Sequence, residues 1–109
     1  MTVKGLIDAL DLTVFHLAEP DRQVTCGYAG DLLSWVIGRA GQDAAWLPIM
    51  SNQNVAAVAL MADVSCVILT EGVRPDEDLL RRAAERDVTL LGTAEDTFTA
   101  AARIHGALG

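Results

Sequence analysis

The run VSCVIL is apolar without alternation and rich in β-branched residues, and it lies between two helical patterns. Too short for a helix of its own, it reads as a strand covered on both faces, which suits a central parallel strand. Covering both faces takes a helical layer on each side, so this one segment commits the chain to a layered α/β architecture. Its neighbours agree. SNQN and VAAVALMAD precede it, and VRPDEDLLRRAAERD, VTLLGTA and EDTFTAAARIHGAL follow. With AAWLPIM in front, the regular part is expected to run from Ala44 to the C-terminus as strand, helix, strand, helix, strand, helix with right-handed crossovers. The expected class is three-layer α/β/α with a mainly parallel sheet.

Toward the N-terminus, Val3, Leu6, Ile7 and Leu10 recur at helical spacing behind Thr2, a candidate cap. LTVFHL and VTCGYAG, on either side of the turn-forming Glu19-Pro20-Asp21, read as short strands of open pairing. Asp31 is expected to cap a helix ending at Ala40, with Gly41 as its stop. Pro48 suggests an edge or strand-end position for AAWLPIM. Asn52 or Ser51 can cap the helix that follows, and Pro75 suits the first turn of the next. On that helix Glu77 with Arg81 and Asp78 with Arg82 are i,i+4 pairs forming a solvated face. Leu79, Leu80, Ala83 and Ala84 make the core-facing stripe.

A length of 109 residues fits one domain, 1–109. Hydrophobic residues at 51% and charged ones at 21% exclude the composition of a disordered chain. A net charge of −7 opposes binding to nucleic acid or an anionic membrane. The longest apolar stretch is broken by Asp63 and falls short of the roughly 18 uninterrupted residues of a membrane span, and no leader pattern opens the chain. The expected location is cytoplasmic.

Common catalytic patterns are missing. No GxxxxGK or GxGxxG follows a strand, and the only lysine, Lys4, sits on the first helix. Cys26 and Cys66 form no CxxC and read as structural thiols; with His16 and His105 they lack the paired spacing of a zinc site. Ser34 or Ser51 with either histidine has no nucleophile-elbow motif around it. The expectation is no enzyme, no cofactor and no metal.

What remains is a geometrical site beyond the carboxyl ends of parallel strands. Four segments belong there: Tyr28-Ala29-Gly30-Asp31, Ser51-Asn52-Gln53-Asn54, Thr70-Glu71-Gly72 and Thr93-Ala94-Glu95-Asp96. The candidate ligand-binding residues are Ser51, Asn52, Gln53, Asn54, Thr70, Glu71, Gly72 and Thr93. Asn52, Gln53, Thr70, Glu71 and Thr93 are expected to converge on one sheet edge. SNQN is the most telling, although a capping cluster in a solvated loop explains it too. Asp31, Glu71 and Glu95 outnumber Arg74, which disfavours a polyphosphate ligand.

The stretch from Trp46 to Ile104, above all CVILTEGVRPDEDLLRRAAERDVTLLGTAEDTFTAA, resembles the DRTGG domain, a module of some phosphotransacetylases and a companion of CBS domains. It is also similar to the N-terminal domain of HPr kinase/phosphorylase, which is non-catalytic and implies no kinase activity. GYAGDLLSWVIG resembles a segment of stand-alone DRTGG proteins, so the likeness extends over nearly the whole chain. The Thr-Glu-Gly-(x)2-Pro-(x)7-Ala spacing and the closing Thr-(x)2-Asp-Thr carry most of it. Where the family has Asp-Arg this chain has Asn52-Gln53, and its Thr-Gly-Gly becomes Thr70-Glu71-Gly72. The resemblance implies a regulatory or assembly domain of anaerobic bacteria, with a protein partner from a redox or hydrogenase-associated system.

The leading expectation is a non-catalytic regulatory or protein-interaction module that forms a homodimer; the alternative is a small-molecule sensor using the carboxyl-edge loops. Homodimerisation follows from Leu32, Leu33, Trp35, Val36 and Ile37, whose directions circle most of a helix, and VAAVALMA repeats the difficulty. The candidate interface is Leu32, Leu33, Trp35 and Val36, with a two-fold dimer as the common remedy for exposed apolar surface. The competing reading folds the N-terminal helix and first strands over these residues.

Overall fold

The computed structural model describes the whole chain, Met1–Gly109. In order it forms α1 (Val3–Leu10), β1 (Thr13–His16), β2 (Cys26–Ala29), α2 (Leu33–Arg39), β3 (Ala44–Leu47), α3 (Asn54–Ala62), β4 (Cys66–Leu69), α4 (Glu77–Arg86), β5 (Leu90–Gly92) and α5 (Thr97–Leu108). One five-stranded sheet has the order β1-β5-β4-β3-β2. β2 to β5 run parallel to one another, and β1 lies antiparallel on β5. The two N-terminal strands therefore occupy opposite edges and do not pair together.

Side-chain alternation divides the core. Ala44 and Trp46, Val67 and Leu69, and Leu90 face α2, α3 and α4; Ala45 and Leu47, Cys66 and Ile68, and Leu91 face α1 and α5. Because both faces are covered, β3, β4 and β5 are buried at every position, which is why VSCVIL shows no alternation. Trp46 is fully buried, and its indole Nε1 donates to Gly30 O at 2.9 Å, so its polar edge is satisfied. Gly92 is required by close approach: a Cβ there would lie 2.6 Å from the Phe15 ring of β1.

Helix ends follow local chemistry. Thr2 Oγ1 accepts from Gly5 N–H at 3.0 Å, as its position suggested. Helices α1, α3 and α4 stop on left-handed aspartates, Asp11, Asp63 and Asp87, at φ of 53°, 55° and 55°. Aspartate is among the few non-glycine residues that tolerate this conformation. Gly41, at φ 86°, follows α2 as expected of a stop.

Several local expectations are corrected. Asp31 does not cap α2; Leu32 holds that position without a side-chain bond, and Asp31 Oδ1 accepts instead from Ile49 N–H at 2.8 Å, joining two carboxyl-edge loops. Pro48 marks a strand end, but of an interior strand. Gln53 rather than Asn52 or Ser51 occupies the α3 cap, although Asn52 Oδ1 accepts from Asn54 N–H at 2.9 Å. Pro75 lies outside the first turn of α4, one residue before its cap, Asp76. Arg81 pairs with Asp78, three residues back, in place of both i,i+4 pairs. Leu79 and Ala83 alone seat α4 in the core, while Leu80 and Ala84 face solvent, because one stripe of a short helix fills the available contact.

Candidate functional site

Parallel pairing of β3, β4 and β5 delivers the segments after them to one edge, so Ser51, Asn52, Thr70, Glu71 and Thr93 lie together at the carboxyl end. The segments are bonded to one another. Ser51 Oγ donates to Asp76 Oδ1 at 3.0 Å, and Asp76 N–H returns to Ser51 O at 3.0 Å. Glu71 N–H donates to Glu95 O at 2.8 Å and Gly72 N–H to Thr93 O at 3.0 Å. The fully buried Thr70 shares a hydroxyl hydrogen bond of 2.6 Å with Thr97.

Glu71 decides what this edge offers. It stands at φ 62° with Gly72 at φ 70°, and that turn aims its carboxylate at the start of α5, where Oε2 accepts from Thr97 N–H at 2.8 Å. Asp96 occupies the same helix end, with Oδ2 accepting from Thr99 N–H at 3.0 Å and Oδ1 from Thr99 Oγ1 at 2.6 Å. Those Thr99 hydrogen bonds, the hydroxyl's first, hold the Asp96 carboxyl below its ordinary pKa. Glu95 N–H donates to Thr93 Oγ1 at 3.2 Å, and the Glu95 carboxylate pairs with Arg103. The α5 N-terminus, a natural anion cradle, is thus filled by the protein's own carboxylates.

Gln53 and Asn54 depart from the group. They line a groove of about 310 Å³ between α3 and α4, opposite Arg82 and Arg86. Sequence reasoning missed these arginines because it assigned α4's charges to a solvated face; their spacing of one helical turn was the available signal. A second groove of about 550 Å³ lies between edge strand β2 and α5, lined by Gly27, Ala29, Leu47, Ile104, His105 and Leu108.

Ser51 has no histidine to serve it. His16 lies opposite Leu90, at the start of β5, and His105 lines a groove with Thr25 and Cys26 at the start of β2, both toward the amino end. No cluster of three His, Cys, Asp or Glu is arranged to hold a metal ion. Cys26 and Cys66 are free thiols.

The interface residues separate. Leu32 and Trp35 are 55% and 48% exposed, and Arg39 stacks on the Trp35 ring at 3.8 Å. Val36 is fully buried in the core and cannot contact a partner, and Leu33 is half-buried against the same cluster. This corrects the expectation for Val36: the α3 side of α2 needs apolar residues for intramolecular packing. On α3, Val55, Ala56, Val58, Ala59 and Ala62 are buried, while Met61 is exposed.

No helix is long and apolar enough to cross a membrane. A search of the curated proteins finds no match. Among solved structures, the chain is similar to the CBS and DRTGG domains of the regulatory region of Clostridium perfringens pyrophosphatase, complexed with the activator diadenosine tetraphosphate. The TM-score is 0.70 at 15% sequence identity, with 94% of this chain and 45% of the other covered. This chain thus spans less than half of that neighbour, and what the likeness shows is a shared fold. Residues 45–107 match the family model of the DRTGG domain, which takes in β3 through nearly all of α5, and the chain belongs to that family.

Proposed function

We propose that the chain is a non-catalytic regulatory and protein-interaction domain that works as a homodimer. The observation that carries this reading is the apolar surface of α2: Leu32, Trp35 and Ile37 are 55%, 48% and 43% exposed on a helix whose inner side is already packed. Leu32 and Trp35, three residues apart, are neighbours on one side, and exposed apolar surface of this kind is ordinarily covered by a partner, of which a two-fold copy is the commonest. The carboxyl-edge loops support the same reading, since their polar groups are spent on one another. The family context agrees: the solved neighbour is a regulatory region. A protein from a redox or hydrogenase-associated system is the heteromeric form of the proposal, using the same surface.

Multi-angle light scattering tests it. The wild type should show the mass of two chains, and Trp35→Glu that of one, with an unchanged circular dichroism spectrum. A wild-type chain that remains monomeric at high concentration overturns the homodimer and leaves the heteromeric form.

A further inference from the structure

The chain has eight basic residues, and most are engaged. Arg22 is bound by Glu19, Asp43 and Asp63, Arg81 by Asp78 and Arg103 by Glu95. Arg39 stacks on Trp35, and Arg74 lies over Phe15. Lys4, Arg82 and Arg86 are left with neither an ion pair nor an aromatic partner, and two of these three face one concavity. In a protein of net charge −7, that concentration of free positive charge stands out from its surroundings.

The groove has a defined chemistry. Arg82 and Arg86 are one turn apart on α4, so their side chains emerge as neighbours and repel each other when nothing lies between them. Across from them, Gln53 and Asn54 present carboxamides, and Ala57 and Leu60 form an apolar floor. The first α3 amides do not take part: Asn54, Val55 and Ala56 N–H are bonded to Asn52 Oδ1, Asn52 O and Gln53 O. Recognition therefore rests on two guanidinium forks and two side-chain amides, a donor set that matches a compact tetrahedral dianion. At about 310 Å³ the space admits such a group with a small substituent.

We propose that the α3–α4 groove binds a phosphate monoester, through Arg82 and Arg86 with Gln53 and Asn54 opposite. The group arrives either on a small metabolite or on a phosphorylated side chain of a partner protein. The site is separate from the α2 surface, so failure of dimerisation leaves it standing.

The test is NMR titration of the full chain with phenyl phosphate and with a short phosphoserine peptide, at constant ionic strength. Saturable shifts are expected at Ala57 and Leu60 amides and at the Arg82 and Arg86 Nε–H signals. R82Q/R86Q should weaken binding at least tenfold, while R81Q, which alters the neighbouring Asp78-paired arginine, should not. Tighter binding of the peptide than of phenyl phosphate supports the proposal with a protein-borne source, and the reverse supports it with a free metabolite. Shifts that fail to saturate, or that persist in a folded R82Q/R86Q chain, overturn it.

Discussion

At the amino end of the sheet a single side chain reaches several turns, whereas at the carboxyl end the loops are joined by many short contacts. Arg22 Nε and Nη2 donate to Asp43 Oδ1 at 3.1 and 3.0 Å; Nη2 also donates to Asp63 O at 2.7 Å and Asp63 Oδ1 at 2.9 Å. Asp43 and Asp63 are the turns entering β3 and β4. Burial opposes the charge on Arg22, but hydrogen bonds and proximity to Asp63 and Asp43 outweigh it and raise its pKa. The carboxyl end relies on Ser51 with Asp76, Thr70 with Thr97, and Glu71 and Asp96 on the α5 amides. A single substitution should thus cost much at the first end and little at the second.

The largest expected effect comes from Cys66, behind the Arg22 cluster at the start of β4. Burial pushes its thiol up to about 12 from an ordinary 9.0, although the Arg22 charge pulls the other way. Because the folded value is raised, the stability it confers is complete below about pH 9 and is lost as pH rises toward 12. Three pH units correspond to roughly 4 kcal/mol. Urea unfolding at pH 7, 9 and 10.5 should show this alkaline decline in the wild type and a much shallower one in Cys66→Ala. Equal slopes would mean that the amino end does not bury this thiol.

Arg22→Met should cost about 2–3 kcal/mol at pH 7, less than a fully buried pair because Arg22, Asp43 and Asp63 keep 22%, 35% and 55% of their side-chain exposure. It leaves two neighbouring carboxylates unneutralised and the Asp63 carbonyl without its donor. Thermal unfolding measures the loss. A change below 0.5 kcal/mol on the scale of ordinary surface substitutions would erase the contrast between the ends.

The two ends also differed in how far the sequence disclosed them. SNQN, TEG and TAED stand out as polar breaks between apolar runs, so their placement at one edge followed once the strands were read as parallel. That Glu71 would bind the α5 amides was not legible, because it depends on a left-handed turn that local pattern does not signal at glutamate. Arg22, Asp43 and Asp63 lie about twenty residues apart, and only the sheet order brings them together. On α2 the apolar residues were evident, but which of them pack inward was decided by α3, which claims Val36. The Arg82–Arg86 groove was hidden for a related reason: Arg82 had a plausible partner in Asp78 on its own helix, and only the packing of α3 against α4 places Gln53 and Asn54 opposite the two arginines.

At the carboxyl end, Glu71→Ala should cost about 1 kcal/mol, since it removes the bond to Thr97 N–H and keeps a Cβ at φ 62°. Glu71→Gly loses the same bond but relieves the left-handed conformation by a similar amount, so it should be close to neutral. Chemical denaturation of the pair separates the two contributions. Two variants of equal stability would show that the turn carries no strain for glycine to release.

The smallest effect tests whether the left-handed aspartates are interchangeable. Asp87 is 82% exposed in its side chain and approaches only His16, at 3.9 Å, so its carboxylate does little for the α4 stop. Asp87→Gly should therefore stabilise by roughly 0.5–1 kcal/mol, because glycine accepts φ 55° without a Cβ penalty. Asp63 has the same φ at the end of α3, yet Asp63→Gly sacrifices the Arg22 ion pair along with the strain. It should bring no gain. Melting temperatures of the two variants compared with wild type decide the matter: a rise for Asp87→Gly alone places the difference in Arg22, and a rise for both would mean that the amino-end cluster holds the chain no more firmly than an exposed helix stop.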